Sequence, residues 1–128
     1  MKKILILDDD LAVLEAMEET LRYGEYEVVA ISTTGDIFSE IEKCDPDVII
    51  LDYILRGTNG GVLCRMIKES PLTRHIPVIM TSAYPRDREP GDHNFGFDDF
   101  IAKPFDIEDL LEVVKKHSGF KASAEQTR

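Results

Sequence analysis

The chain has 128 residues, 43 % of them hydrophobic and 31 % charged, a balance that fits one globular domain with its own core and excludes a disordered or fibrous chain. Its formal net charge of -10 argues against direct nucleic-acid binding, which needs a basic footprint, and no apolar run approaches the ~20 residues that cross a bilayer. The two cysteines, Cys44 and Cys64, form no CxxC pair and predict reduced, partly buried thiols in a cytoplasmic protein.

The opening Met1-Lys2-Lys3 followed by Ile4-Leu5-Ile6-Leu7 has the charge of a signal peptide, but its apolar run is too short and Asp8-Asp9-Asp10 ends it. Residues 4–7 therefore predict a strand buried on both faces. Val13, Leu14, Met17 and Leu21 recur at helical spacing over 11–22, opposite Glu15, Glu18 and Glu19, and Gly24 stops that helix. A second strand is predicted over 27–31, and a short helix over 36–43 with Ile37, Phe38 and Ile41 inward. Asp45-Pro46 breaks it, and a third strand over 48–51 runs into Asp52.

Arg56-Gly57-Thr58-Asn59-Gly60-Gly61 reads as turn chemistry. A third helix follows over 62–69, then a strand over 77–81, a short strand over 99–102 and a last helix over 107–117 carrying Leu110, Leu111, Val113 and Val114. Between the last two strands, residues 85–96 hold two prolines and two glycines, which predicts a helix that is short or missing, with Phe95 and Phe97 anchoring its far end. Residues 121–128 are polar and predict a frayed tail, leaving 1–120 as the domain. The alternation implies a parallel sheet wrapped on both faces by right-handed crossovers.

In such a sheet, ligands bind beyond the carboxyl ends of the strands. Those ends carry Asp8-Asp9, Asp52, Ser82 and the approach to Lys103. Crowded carboxylates repel unless a cation intervenes, and Mg²⁺, a hard ion content with one or two carboxylates, suits them. A carboxylate beside Mg²⁺ and a lysine is placed to attack a phosphoryl group, with the serine donating to one of its oxygens. Each residue also has a plainer account: Asp10 as a helix N-cap, Asp52 as the start of a turn, Ser82 bonded to backbone, Lys103 as a surface charge. Their joint placement at the ends of four strands favours the chemical account.

The runs Ile4–Asp10, Val48–Asp52, Pro77–Ala83 and Phe100–Phe105 resemble, in order and spacing, the receiver domain of response regulators, over nearly the whole chain. The resemblance implies a doubly wound α/β sheet of five parallel strands in the flavodoxin-like order 2-1-3-4-5. It implies that Asp52 accepts a phosphoryl group from a histidine kinase or phosphotransfer protein, and that a change of conformation then regulates a downstream protein target. Asp8, Asp9, Asp52 and the backbone carbonyl of Ile54 would hold Mg²⁺. Ser82 and Phe100 would be switch residues, Lys103 would contact phosphate, and the Lys103–Pro104 bond would be cis. Ile54 and Tyr84 would flank the hydrolytic water and tune the lifetime of the phosphate. Three departures stand out: Arg56 where the family usually has proline, Asn59 where its loop often has aspartate, and the weak helix signal over 85–96, in a region that usually forms part of the family's output face.

Such a domain catalyses only its own phosphorylation and dephosphorylation. No effector domain is expected within these residues, which fit a stand-alone regulator and the N-terminal piece of a longer protein equally, and the sequence fixes no oligomeric state. A phosphohydrolase of the haloacid dehalogenase type is the alternative, since Asp8-Asp9-Asp10 satisfies DxD. Leu11 and Ala12 do not continue that motif, however, and it leaves Asp52 without a role. A receiver-like scaffold that is never phosphorylated is the third reading, disfavoured because every chemical position is filled.

Overall fold

A computed structural model describes residues 1–83 and 95–126, with 119–126 described by backbone alone. The chain runs β1 (Lys3–Leu7), α1 (Leu11–Tyr23), β2 (Glu27–Ile31), α2 (Ile37–Cys44), β3 (Val48–Asp52), β4 (Ile54–Leu55), β5 (Thr58–Asn59), α3 (Gly60–Glu69), β6 (Val78–Ser82), β7 (Asp99–Ala102) and α4 (Ile107–Gln126). Five of the strands form one parallel sheet in the order β2-β1-β3-β6-β7, the predicted 2-1-3-4-5 once the two-residue strands β4 and β5 are set aside.

The apolar runs form the central strands because both faces of the sheet are covered. Leu5, Leu7, Ile49, Leu51 and Met80 point to the side packed by Ile37, Ile41, Leu63 and Ile67 of α2 and α3. Ile4, Ile6, Val48, Ile50 and Ile79 point to the other side, against Leu14, Met17, Leu21, Leu110 and Val114 of α1 and α4. Each of these side chains contributes roughly 1.5–3 kcal/mol through burial. Both cysteines are free, and both are buried rather than partly buried, since each helix turns its thiol toward the sheet. No helix among the described residues is long and apolar enough to cross a membrane.

Three details differ from the expectations. The segment taken as a plain turn contains a small antiparallel hairpin, Leu55 opposite Thr58, with Gly57 at φ +79°. The third helix starts at Gly60 rather than Val62, because the Asn59 side chain caps it by accepting from the Gly61 and Val62 backbone N–H groups. The last helix continues past its predicted end at His117, as far as Gln126. Ala122, Ala124, Glu125 and Gln126 are good helix formers, and Ser118, buried, donates back to the Val114 carbonyl. The helix expected to be short or missing over 85–96 falls mainly on residues 84–94, outside the described ones, as does Tyr84. Phe95 is buried and Phe97 packs against the same core, as expected for the anchors of that segment.

Candidate active site

Because all five strands of the main sheet are parallel, their carboxyl ends meet on one edge. Leu7 delivers Asp8 and Asp9, Leu51 delivers Asp52, Thr81 delivers Ser82, and Ala102 delivers Lys103. Asp10 belongs to α1 instead: its side chain accepts from the Ala12 and Val13 N–H groups as the N-cap. The plainer account thus holds for Asp10 and not for its two neighbours.

Asp8 is fully buried, so its charge needs partners. One carboxylate oxygen accepts from the Asp10 N–H at 2.9 Å and the other from Lys103 Nζ at 2.8 Å. The same Nζ lies 3.3 Å from Asp52 Oδ1, so Lys103 bridges the two acids. Burial works against the Lys103 charge, but the hydrogen bond to Asp8 and the charges of both acids outweigh it and raise its pKa. Asp52 is pushed up to about 6, first by burial and then by the charge of Asp8, with Lys103 opposing.

Asp9 faces the rim. Its Oδ2 accepts from the Arg56 backbone N–H at 2.9 Å, with Arg56 Nε at 3.8 Å. Asp8, Asp9 and Asp52 can each present a carboxylate oxygen so that the three atoms lie within 4.8 Å of one another. Three acids against one buried ammonium, Lys103, and one exposed guanidinium, Arg56, leave an excess of negative charge around a space lined by hard oxygen ligands. That donor set fits Mg²⁺.

Ser82 is buried at the end of β6, and its backbone carbonyl accepts from the Lys103 N–H at 2.8 Å, so β6 and β7 are tied together at the sheet edge that carries the acids. The Lys103–Pro104 bond is cis, as the resemblance implied. Ile54 stands on β4 with its side chain half exposed. Phe100 lies opposite Met80 on β7, in the apolar layer on the α2 and α3 side, with its ring 6.1 Å from that of Phe97.

Sequence reasoning missed Gly60. A Cβ there would sit 1.9 Å from the Asp52 carbonyl oxygen, so only glycine lets α3 start directly against the acidic strand end. The Gly60 N–H also donates to the Tyr53 carbonyl at 2.8 Å, fixing the loop that follows Asp52. Gly61 has a related duty, since a Cβ would come within 2.6 Å of the Phe95 ring. In the sequence the Gly60-Gly61 pair reads only as a turn, and the approach to Asp52 becomes visible in the fold alone.

A family model for the response regulator receiver domain matches residues 4–115. The phosphate regulon transcriptional regulatory protein PhoB of Pseudomonas aeruginosa is 36 % identical over 115 residues, covering 89 % of this chain and 50 % of PhoB. The response regulator PleD of Caulobacter vibrioides is 33 % identical over 128 residues, 98 % of this chain and 28 % of PleD. The chain thus spans half or less of the length of these two relatives. Among solved structures, the response regulator TrrA of Thermotoga maritima, crystallised in complex with Mg²⁺ and BeF, superposes with a TM-score of 0.81 at 26 % identity, covering 91 % of this chain and 98 % of TrrA. With a matched family model over most of its length, the expected strand order and an acidic cluster at the strand ends, the chain belongs to the response regulator receiver domain family.

Proposed function

We propose that Asp52 accepts a phosphoryl group from the phosphohistidine of a histidine kinase or phosphotransfer protein, and that this changes the domain's affinity for a downstream protein. The observation that carries the reading is Lys103, held between Asp8 and Asp52 inside a cluster of three carboxylates. A dehalogenase-type reaction would give Asp52 no part in that cluster.

In the transfer, a lone pair of the Asp52 carboxylate forms the new O–P bond as the P–N bond to the donor imidazole breaks, and that bonding pair stays on the imidazole nitrogen. Asp8, Asp9, Asp52 and the Ile54 carbonyl would hold Mg²⁺, which supplies charge neutralisation for the phosphoryl oxygens. Lys103 would neutralise another, and the Ser82 hydroxyl would donate to one. The phosphate is lost in a separate step, in which water attacks phosphorus, the bond to Asp52 breaks with its electron pair returning to the carboxylate, and orthophosphate leaves with the water's oxygen; in both steps the domain acts on itself alone. Ile54 offers no acid or amide to orient that water, which favours a long-lived phosphate, and Tyr84 is assigned to the same path. Ser82 and Phe100 would carry the switch. A two-state change follows only where phosphate binds one state better than the other.

We place the unit within residues 1–120, in the cytoplasm, acting on protein partners and not on nucleic acid, consistent with its net charge of -10. Acetyl phosphate tests the reading. Labelling should require Mg²⁺, and Asp9→Ala should slow it and weaken Mg²⁺ binding; equal rates with and without Mg²⁺ would sink the proposal.

A further inference from the structure

The groups meeting at the carboxylate cluster include one that the phosphoryl chemistry leaves unused. Arg56 approaches Asp9 twice: its backbone N–H donates to Oδ2 at 2.9 Å, and its Nε lies 3.8 Å from the same oxygen. Asp9 therefore already has a cationic partner when no metal is bound. The other two acids share Lys103, so Arg56 is the cation that answers the third.

We propose that Arg56 is an internal counter-ion for Asp9 that competes with Mg²⁺ and sets the metal affinity of the site. The inference rests on the metal-site reading above and adds a determinant to it. Mg²⁺ arriving at Asp9 meets a like charge 3.8 Å from the same carboxylate, which opposes its binding until the side chain swings aside. Asp9 Oδ1 keeps its lone pairs, and Oδ2 can accept the Arg56 N–H while Oδ1 meets the ion, so the backbone contact need not break. The side-chain charge is then the competing element. The Arg56 side chain is 89 % exposed, so it can swing away at little cost, and the competition is correspondingly mild.

The turn makes the position testable. Leu55 pairs with Thr58, so Arg56 and Gly57 are the two central residues, and Gly57 at φ +79° takes the second. Alanine, lysine and proline are all accepted at the first central position of such a turn. Substitutions there change the contacts to Asp9 without breaking the hairpin.

The experiment is calorimetric titration of the full chain with MgCl₂ at low ionic strength. Arg56→Ala should tighten Mg²⁺ binding roughly threefold, the size of an exposed ion pair. Arg56→Lys should stay near wild type, and Arg56→Pro, which also removes the N–H, should bind at least as tightly as Arg56→Ala. Raising KCl to about 0.5 M should shrink the difference, since exposed charges are screened within a few ångströms there. Equal affinity in Arg56→Ala and wild type overturns the role of Arg56 while Asp9→Ala still loses binding. Undiminished binding in Asp9→Ala instead overturns the metal-site reading, and the Arg56 proposal with it.

Discussion

Replacing Asp52 by asparagine should make the metal-free protein more stable, although it removes the proposed acceptor. Asp52 shares the Lys103 ammonium with Asp8, with Asp9 close by, and its pKa rises from 3.8 to about 6. The folded protein thus holds the Asp52 proton more tightly than the unfolded chain does. Stability from this group is greatest below the unfolded pKa, falls as pH rises from about 4 to about 6, and stays low above that. The shift of about two units corresponds to about 3 kcal/mol at 1.36 kcal/mol per unit, reduced to about 1–2 kcal/mol because the metal side of the site faces water. Asparagine keeps the shape and an oxygen for Lys103 but carries no charge. In urea unfolding with EDTA at pH 7.5, Asp52→Asn should gain about 1–2 kcal/mol, or several degrees in Tm, and the gain should vanish near pH 4. Saturating Mg²⁺ should narrow the gap, because it stabilises the wild type more. A variant no more stable than wild type at pH 7.5, or a gap indifferent to pH, would refute the crowding argument.

Other substitutions probe the supports of the site. Lys103→Ala leaves the buried Asp8 carboxylate without its 2.8 Å partner and should cost about 2–4 kcal/mol in metal-free urea unfolding, partly restored by Mg²⁺; an unchanged midpoint would contradict this. Gly60→Ala must move backbone to relieve a 1.9 Å approach to the Asp52 carbonyl, so a loss of about 2–4 kcal/mol is expected, and wild-type stability would show that the loop yields freely. Ile54→Asn should speed loss of phosphate from the labelled protein, and unchanged decay would remove Ile54 from the water path.

The parts of the fold legible in the sequence were those whose physics is local. Ile4–Leu7 and Val48–Leu51 read as buried strands because helices cover both faces of the sheet, and Asp8, Asp9, Asp52, Ser82 and Lys103 were visible because parallel strands bring their carboxyl ends to one edge. What escaped depended on contacts between distant segments. Gly60 matters because α3 starts against the Asp52 carbonyl, and no local pattern reports that approach. The hairpin of Ile54–Asn59 is too short for periodicity, and Arg56 gained its interest only from the Asp9 carboxylate, 47 positions earlier in the chain. The last helix overran its predicted end because good helix formers, Ala122, Ala124, Glu125 and Gln126, follow the weak stretch over 117–120.

The central claim is that Asp52 carries the phosphate, and the most direct test converts that bond into a permanent mark. Protein treated with acetyl phosphate and Mg²⁺ is reduced with borohydride, which turns an acyl phosphate into an alcohol, and its peptides are sequenced by mass spectrometry. The account predicts homoserine at position 52, absent when Mg²⁺ is withheld and absent in Asp52→Asn. Homoserine at position 8 or 9 with Asp52 intact, or a phosphate that survives in Asp52→Asn at the wild-type level, would contradict it.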